Sequence, residues 1–183
     1  LHGFARDSEF SVRSIDRAGF EVELVQREGD REFYPFEYTF TVIYHFLELS
    51  LQISLILENE GRAPIPWSAG LHPYLQLPWR KDLSRKEHQL SINAKKVFQY
   101  QKGGLMTKKT PISSPTPLDE PSLINSIHYE LSQPTAEVSL LNGEEKIRIS
   151  EVGGAEAGSR TSFVTWSKED TPYYCVEPWM SPP

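Results

Sequence analysis

Apolar and polar residues alternate along most of this chain in short runs separated by turn formers, which is the signature of β-strands. Phe10–Ile15 alternates, Ala18-Gly19 offers a turn, and Phe20–Val25 alternates again, so the pair reads as a hairpin. Phe36, Tyr38, Phe40, Val42 and Tyr44 mark one face of a third strand. Leu49, Leu51, Ile53, Leu55 and Leu57 mark a fourth, which stops at Asn59-Glu60-Gly61. The turn between these two, Phe46-Leu47-Glu48, carries no Gly or Pro. Further strands are expected at His88–Ile92, Val97–Tyr100, Ser126–Leu131, Ala136–Leu141, Lys146–Ser150, Ser162–Ser167 and Tyr173–Glu177. Asn142-Gly143 predicts a type I′ hairpin turn into Lys146–Ser150.

The remaining stretches break the pattern. Trp79–Lys86 is polar and reads as a loop. Lys102–Pro121 holds two Gly and four Pro and reads as a long irregular excursion, a kind of segment that often carries function. Val152–Ser159 is rich in Gly and Ala and is expected to be mobile. No stretch has a helical period, a heptad or a fixed repeat. The fold class is therefore all-β, a large antiparallel sandwich forming a single domain over residues 1–183.

Composition narrows the classes of function. With 183 residues the chain is long enough for one sizeable core, and its 38% hydrophobic and 24% charged residues are ordinary for a globular protein. A net charge of −6 argues against a nucleic-acid partner, which normally meets a basic face. No apolar run reaches the length of a membrane span, so no membrane partner is expected. Cys175 stands alone, which excludes an internal disulfide and fits a reducing, cytoplasmic setting. The five histidines (His2, His45, His72, His88 and His128) have no metal-ligand spacing, so no metal is expected.

Two motifs match each other. In Gly70-Leu71-His72-Pro73-Tyr74 and in Cys175-Val176-Glu177-Pro178-Trp179 a titratable residue follows an apolar run and precedes proline and an aromatic. Proline fixes its own φ and pushes its predecessor toward extended geometry, so His72 and Glu177 are each held to point one way. Proline also donates nothing to a ladder, so each motif is expected to mark a strand end. The rings of Trp67, Tyr74, Trp79 and Trp179 are flat faces on which a sugar could stack. Taken singly, each residue also fits a structural role: a glutamate before proline as a solvated strand end, a histidine in an apolar run as a hydrogen-bonded core residue. Arg6 could hold a hydroxyl, carboxylate or phosphate, or make an ordinary surface ion pair.

In order along the chain, His2-Gly3-Phe4-Ala5-Arg6, Phe36-Glu37-Tyr38 with its strand pair ending at Asn59, Gly70-Leu71-His72-Pro73-Tyr74, Leu118-Asp119 and Val176-Glu177-Pro178-Trp179 resemble the aldose 1-epimerases, or galactose mutarotase-like proteins. The resemblance implies that family's β-supersandwich, here lacking its N-terminal strands and extreme C-terminus, with a sugar lying across the concave face of a large sheet. It implies His72 as general acid and Glu177 as general base. It further implies Asp119 on the sugar hydroxyls and His2 near the ring oxygen. Arg6 matches the hexose-6-phosphate mutarotases, whereas His72-Pro73-Tyr74 reads as in plain aldose epimerases.

The implied reaction interconverts α and β anomers of a hexose or hexose phosphate and needs no cofactor. A base takes the C1 hydroxyl proton while an acid protonates the ring oxygen, and the opened sugar recloses on its other face. Glu and His have unperturbed pKa values that bracket the useful range. The implied partner is the small-molecule sugar alone, with the protein as monomer or homodimer. The competing class is a non-catalytic carbohydrate-binding domain of the same fold, which has no need of both His72 and Glu177.

Overall fold

The structure is a computed structural model that describes residues 3–101, 104–152, 161–168 and 170–181. It is built almost wholly from strands and short 3-10 turns, and it divides into two compact units, Leu1–Trp67 and Ser68–Pro183.

The first unit is an antiparallel meander of β1 (Phe10–Ile15), β2 (Gly19–Leu24), β3 (Tyr38–Leu47) and β4 (Ser50–Asn59), in that order. The first hairpin forms as its pattern predicts. Asp16 Oδ1 caps the turn by accepting from the backbone N–H of Ala18 (2.7 Å) and Gly19 (3.0 Å). Gly19 is obligatory there, since a Cβ would lie 1.8 Å from the Tyr44 carbonyl oxygen. Phe20 stacks on its cross-strand partner Tyr44 at 4.4 Å between centroids. The β3–β4 turn falls one residue later than the pattern suggested. Leu47 pairs with Ser50, so Leu49 sits at the tip, 97% exposed, instead of opening the strand.

The second unit holds two sheets. One runs β5 (Tyr74–Gln76), β14 (Tyr173–Trp179), β13 (Ser162–Trp166), β10 (Ser126–Leu131), β7 (Ala94–Tyr100), β8 (Met106–Lys109). The other runs β12 (Lys146–Ser150), β11 (Thr135–Leu140), β6 (His88–Ser91), β9 (Thr116–Pro117). The core joins one face of each. Phe163, Tyr174 and Val176 from the six-stranded sheet cluster with Leu90, Ala136 and Val138 from the four-stranded sheet and with Leu77, Leu118 and Leu123. Tyr174 is sealed in this layer with its hydroxyl donating to the Leu123 carbonyl at 3.0 Å.

Three sequence expectations change. Lys102–Pro121 is not wholly irregular, because β8 and β9 lie within it and extend a sheet each. Asn142-Gly143 does sit in a hairpin, but of a different kind. The strands end at Leu140 and resume at Lys146, and Gly143 has positive φ (76°) without Asn142 joining it, whereas a type I′ turn needs both. The Asn142 side chain instead accepts from Glu144 N–H, an Asx-type closure. Finally, β14 continues through Pro178 to Trp179, so Glu177 lies inside a strand and not at its end. Of the Val152–Ser159 stretch, residues 153–159 lie outside the described residues.

Candidate active site

The two matching motifs pair with each other. Tyr74 is the cross-strand partner of Cys175, and Gly70 bridges Trp179. Both pairings share one antiparallel register, which sets His72 opposite Glu177 midway between them. Backbone bonds hold the segment in place: Leu71 N–H donates to the Pro178 carbonyl (3.0 Å) and Met180 N–H to that of Ala69 (2.9 Å). The prolines beside His72 and Glu177 remove ladder donors without breaking this pairing.

Strand alternation decides which face receives the pair. Tyr174 and Val176 point into the core, so Tyr173, Cys175, Glu177 and Trp179 point to the other face. Their neighbours across the ladder share that face: Val164 opposite Glu177, and Trp166 opposite Cys175. There His72 Nε2 lies 3.3 Å from Glu177 Oε1, with side-chain exposures of 29% and 3%. Trp179 Nε1–H donates to the other carboxylate oxygen, Oε2, at 3.2 Å. Burial pushes the Glu177 carboxyl up to about 7, against the smaller opposing pull of the Trp179 hydrogen bond. Glu177 is thus a carboxyl poised to exchange a proton near neutrality, reached from solvent by way of a half-exposed imidazole.

Aromatic rings wall the pair. The His72 ring stacks on Tyr74 (4.8 Å, 10°) and meets Trp166 edge-on (5.9 Å, 79°). Tyr173 packs against both Tyr74 (5.0 Å) and Trp166 (5.8 Å, 28°). Tyr74 is exposed, so the group opens outward. Arg85 pins the start of β14 by donating to the carbonyls of Thr171 (3.0 Å) and Tyr173 (3.2 Å).

The other residues singled out in the sequence stand as follows. His2 lies outside the described residues. Arg6 is exposed on a 3-10 turn, Phe4–Asp7, in the first unit, and Trp67 closes that unit. Asp119 is exposed in the turn after β9 and makes no hydrogen bond or ion pair among the described residues. Trp79 belongs to the core, where it packs against the apolar cluster and edge-on to His88 (5.0 Å, 89°). His88 is buried between the Ser84 carbonyl (2.9 Å) and Trp79 N–H (3.4 Å). Trp166 and Tyr173 were missed as site residues. Tyr173 was within reach, two and four residues from Cys175 and Glu177 on one strand. Trp166 depends on the β13–β14 register, which the sequence does not encode locally.

Cys175, wholly buried, also belongs to this group, since it points to the same face of β14 as Glu177. The ligand-capable atoms of His72, Cys175 and Glu177 lie within 4.8 Å of one another, a grouping that the spacing of the histidines does not disclose. Nitrogen, sulfur and oxygen donors of this kind suit a divalent cation such as zinc. A cation here would first have to displace the thiol proton of Cys175, which burial pushes up to about 12. Without a cation, the arrangement sets a carboxyl raised to about 7 within 3.3 Å of an imidazole nitrogen.

Comparison with known proteins bears on the family and the fold. The aldose 1-epimerase family model matches residues 1–179. A galactose mutarotase related enzyme from Lactobacillus acidophilus superposes with a TM-score of 0.79 at 18% identity, covering 98% of this chain and 61% of that one. The Slr1438 protein from Synechocystis sp. PCC 6803 gives 0.72 at 24% identity, covering 98% and 58%. A galactose mutarotase-like protein from Lactobacillus casei ATCC 334 gives 0.71 at 21% identity, covering 97% and 63%. At these identities the likeness is one of fold, and the chain spans about three fifths of the length of those structures. A search of curated proteins found no match. Among the described residues no helix is long and apolar enough to cross a membrane.

Proposed function

The chain belongs to the aldose 1-epimerase family, and from that premise we propose that it is a mutarotase, interconverting the α and β anomers of a hexose or hexose phosphate. Glu177 is the general base and His72 the general acid. The observation that carries the reading is the 3.3 Å approach of His72 Nε2 to Glu177 Oε1 on the face turned away from the core. The two oxygens that must exchange protons, the C1 hydroxyl and the ring oxygen, are bonded to the same carbon. A base and an acid that reach one another can reach both. Once Glu177 has taken the hydroxyl proton and His72 has protonated the ring oxygen, the ring opens. Rotation about C1–C2 and the reverse transfers close it on the other face.

The surroundings support this assignment. A carboxyl with a pKa near 7 is a stronger base than an ordinary glutamate and is still largely ionised just above neutrality. Tyr74 and Trp166 offer apolar faces to a pyranose ring. Asp119, His2, Trp67 and Arg6 are proposed to contact the sugar, with Arg6 on a 6-phosphate where one is present. A non-catalytic carbohydrate-binding module would call for the aromatic faces alone, and a titrating pair in contact favours catalysis.

The test is polarimetry of freshly dissolved α-glucose with the full-length protein. Accelerated mutarotation is expected, and Glu177→Gln should remove nearly all of it. Full activity in Glu177→Gln would overturn the assignment. Comparing glucose with glucose 6-phosphate separates the substrate classes: a preference for the phosphate that disappears in Arg6→Ala identifies a phosphate clamp.

A further inference from the structure

We propose that Gly70 and Trp179 are a positioning pair for the Glu177 carboxylate: the glycine seats the indole, and the indole N–H holds Oε2 so that proton exchange is confined to Oε1, opposite His72. The inference deepens the mutarotase reading, and only its kinetic consequences rest on that reading.

The chemistry of the donor carries the argument. An indole N–H donates and never accepts. It therefore binds whichever carboxylate oxygen does not carry the proton. Trp179 Nε1 lies 3.2 Å from Glu177 Oε2, while His72 Nε2 lies 3.3 Å from Oε1. With Oε2 engaged, a proton arriving at Glu177 goes to Oε1, the oxygen beside the second proton carrier. A carboxyl without this donor could take its proton on either oxygen, or rotate it away from His72.

The seat is as specific as the bond. A Cβ at Gly70 would lie 2.8 Å from Trp179 Cδ1, 3.0 Å from its Cγ and 3.0 Å from the Pro178 carbonyl oxygen. The indole thus packs closely on the Gly70 backbone, where a Cβ would force the ring or the Pro178 carbonyl to shift. The backbone hydrogen bonds on either side of Gly70, from Leu71 to Pro178 and from Met180 to Ala69, prevent the strands from spreading to make space. On the other side of β14, Trp179 pairs with Ser162. The same segment that seats the indole delivers His72, so both carboxylate oxygens are referred to one piece of backbone.

The titratable groups on this face are His72 and Tyr74 from the β5 segment and Tyr173 and Cys175 from β14 itself, while Ser162, Val164 and Trp166 of β13 add none. Removing the Trp179 donor leaves burial unopposed, so the Glu177 carboxyl should titrate higher still.

The chain has four tryptophans, and ¹⁵N-labelling the full chain gives each an indole N–H resonance, Trp179 being identified by its absence in Trp179→Phe. On titration through neutrality that resonance is expected to move with one midpoint near 7 and to stop moving in Glu177→Gln. A resonance indifferent to pH in the wild-type protein overturns the proposal, whether or not the protein turns over sugar. In kinetics, Trp179→Phe should move the acid limb of kcat/KM up by about one pH unit, as expected for a lost hydrogen bond to a charged group, with the rate recovered in alkali. Gly70→Ala should displace the resonance and shift the limb the same way. Combined with Trp179→Phe it should add nothing, since both act on one contact. An acid limb unmoved in Trp179→Phe, or additive effects of the two substitutions, would refute the pairing.

Discussion

The six-stranded sheet buries His128 on one face and Glu177 on the other, and their fates differ. His128 on β10 lies opposite Phe163, in the core layer, with Nε2 3.1 Å from Thr165 Oγ1. Glu177 on β14 lies on the other face, against His72 and Trp179. Both are almost wholly inaccessible, and burial drives both toward their neutral forms: His128 down to about 4, Glu177 up to about 7. A displaced pKa is therefore no mark of a site. What separates them is the neighbour. Thr165 neither titrates nor opens to water, so His128 stays a neutral core residue at working pH. His72 is part-exposed, with its Nε2 3.3 Å from the Glu177 carboxylate, and on the proposed reading it gives the proton of Glu177 somewhere to go.

The sharpest way to break this contrast is to neutralise each residue in turn. Glu177→Gln keeps shape and hydrogen-bonding capacity and should lower mutarotation by roughly 10²–10⁴-fold, the usual contribution of a general base. His128→Leu should leave kcat/KM per folded molecule within about a factor of two, since no proton path runs through it. Polarimetry of both variants beside the wild-type protein reads the two values, and a large loss in His128→Leu would erase the distinction between the faces.

A second test uses stability, where the two residues pull in opposite directions. His128 has a folded pKa of about 4 against an ordinary 6.5, so between those values the unfolded chain binds the extra proton and stability rises with pH. Glu177 has a folded pKa of about 7 against an ordinary 4.5, so between those values the folded chain binds the extra proton and stability falls as pH rises. Each slope is about 1.4 kcal/mol per pH unit, and over the shared window, from 4.5 to 6.5, they cancel. Relative to wild type, Glu177→Gln should gain stability with rising pH across that window at about this slope, and His128→Leu should lose it at the same rate. Urea unfolding at several pH values measures both. Parallel wild-type and variant curves would mean that one of the two groups titrates as it does in water.

The pairing of the two motifs explains how much of this the sequence could carry. Period-two patterning located strands of the second unit where alternate residues turn to the core, as Phe163, Tyr174 and Val176 do. Turn chemistry was a weaker guide. Asn142-Gly143 sits in a hairpin whose closure is made by the Asn142 side chain and the Gly143 φ, and Leu49 forms a tip with no turn former at all. His72 and Glu177 stood out because each precedes proline and an aromatic. In the structure that likeness has a cause: Gly70–Tyr74 and Cys175–Trp179 lie antiparallel, with their titratable residues at the centre. The expectation that each motif marks a strand end holds at His72-Pro73, where β5 opens at Tyr74, and fails at Glu177-Pro178, because Pro178 keeps its carbonyl in the pairing, accepting from Leu71. The grouping of Cys175 with His72 was not legible, since a strand does not declare which segment will pair beside it. Trp166 and the division of labour between the tryptophans depend on register and packing across strands far apart in sequence.

That division supplies the smallest expected effect. Trp79 and Tyr74 were equal candidates for a sugar platform, yet Trp79 packs into the core beside His88 while Tyr74 stacks on His72 and is open to solvent. An aromatic face contributes about 0.5–1.5 kcal/mol beyond its burial, so Tyr74→Leu should raise KM by roughly two- to tenfold while lowering kcat less. Trp79→Leu should do the reverse of a site variant: KM and kcat per folded molecule unchanged, with the unfolding midpoint lowered because the core cluster and the His88 ring lose a neighbour. Steady-state kinetics with thermal unfolding on the same preparations separates the two. If Trp79→Leu raised KM as Tyr74→Leu does, the sugar would lie across both faces' aromatics, and the core assignment of Trp79 would fall with it.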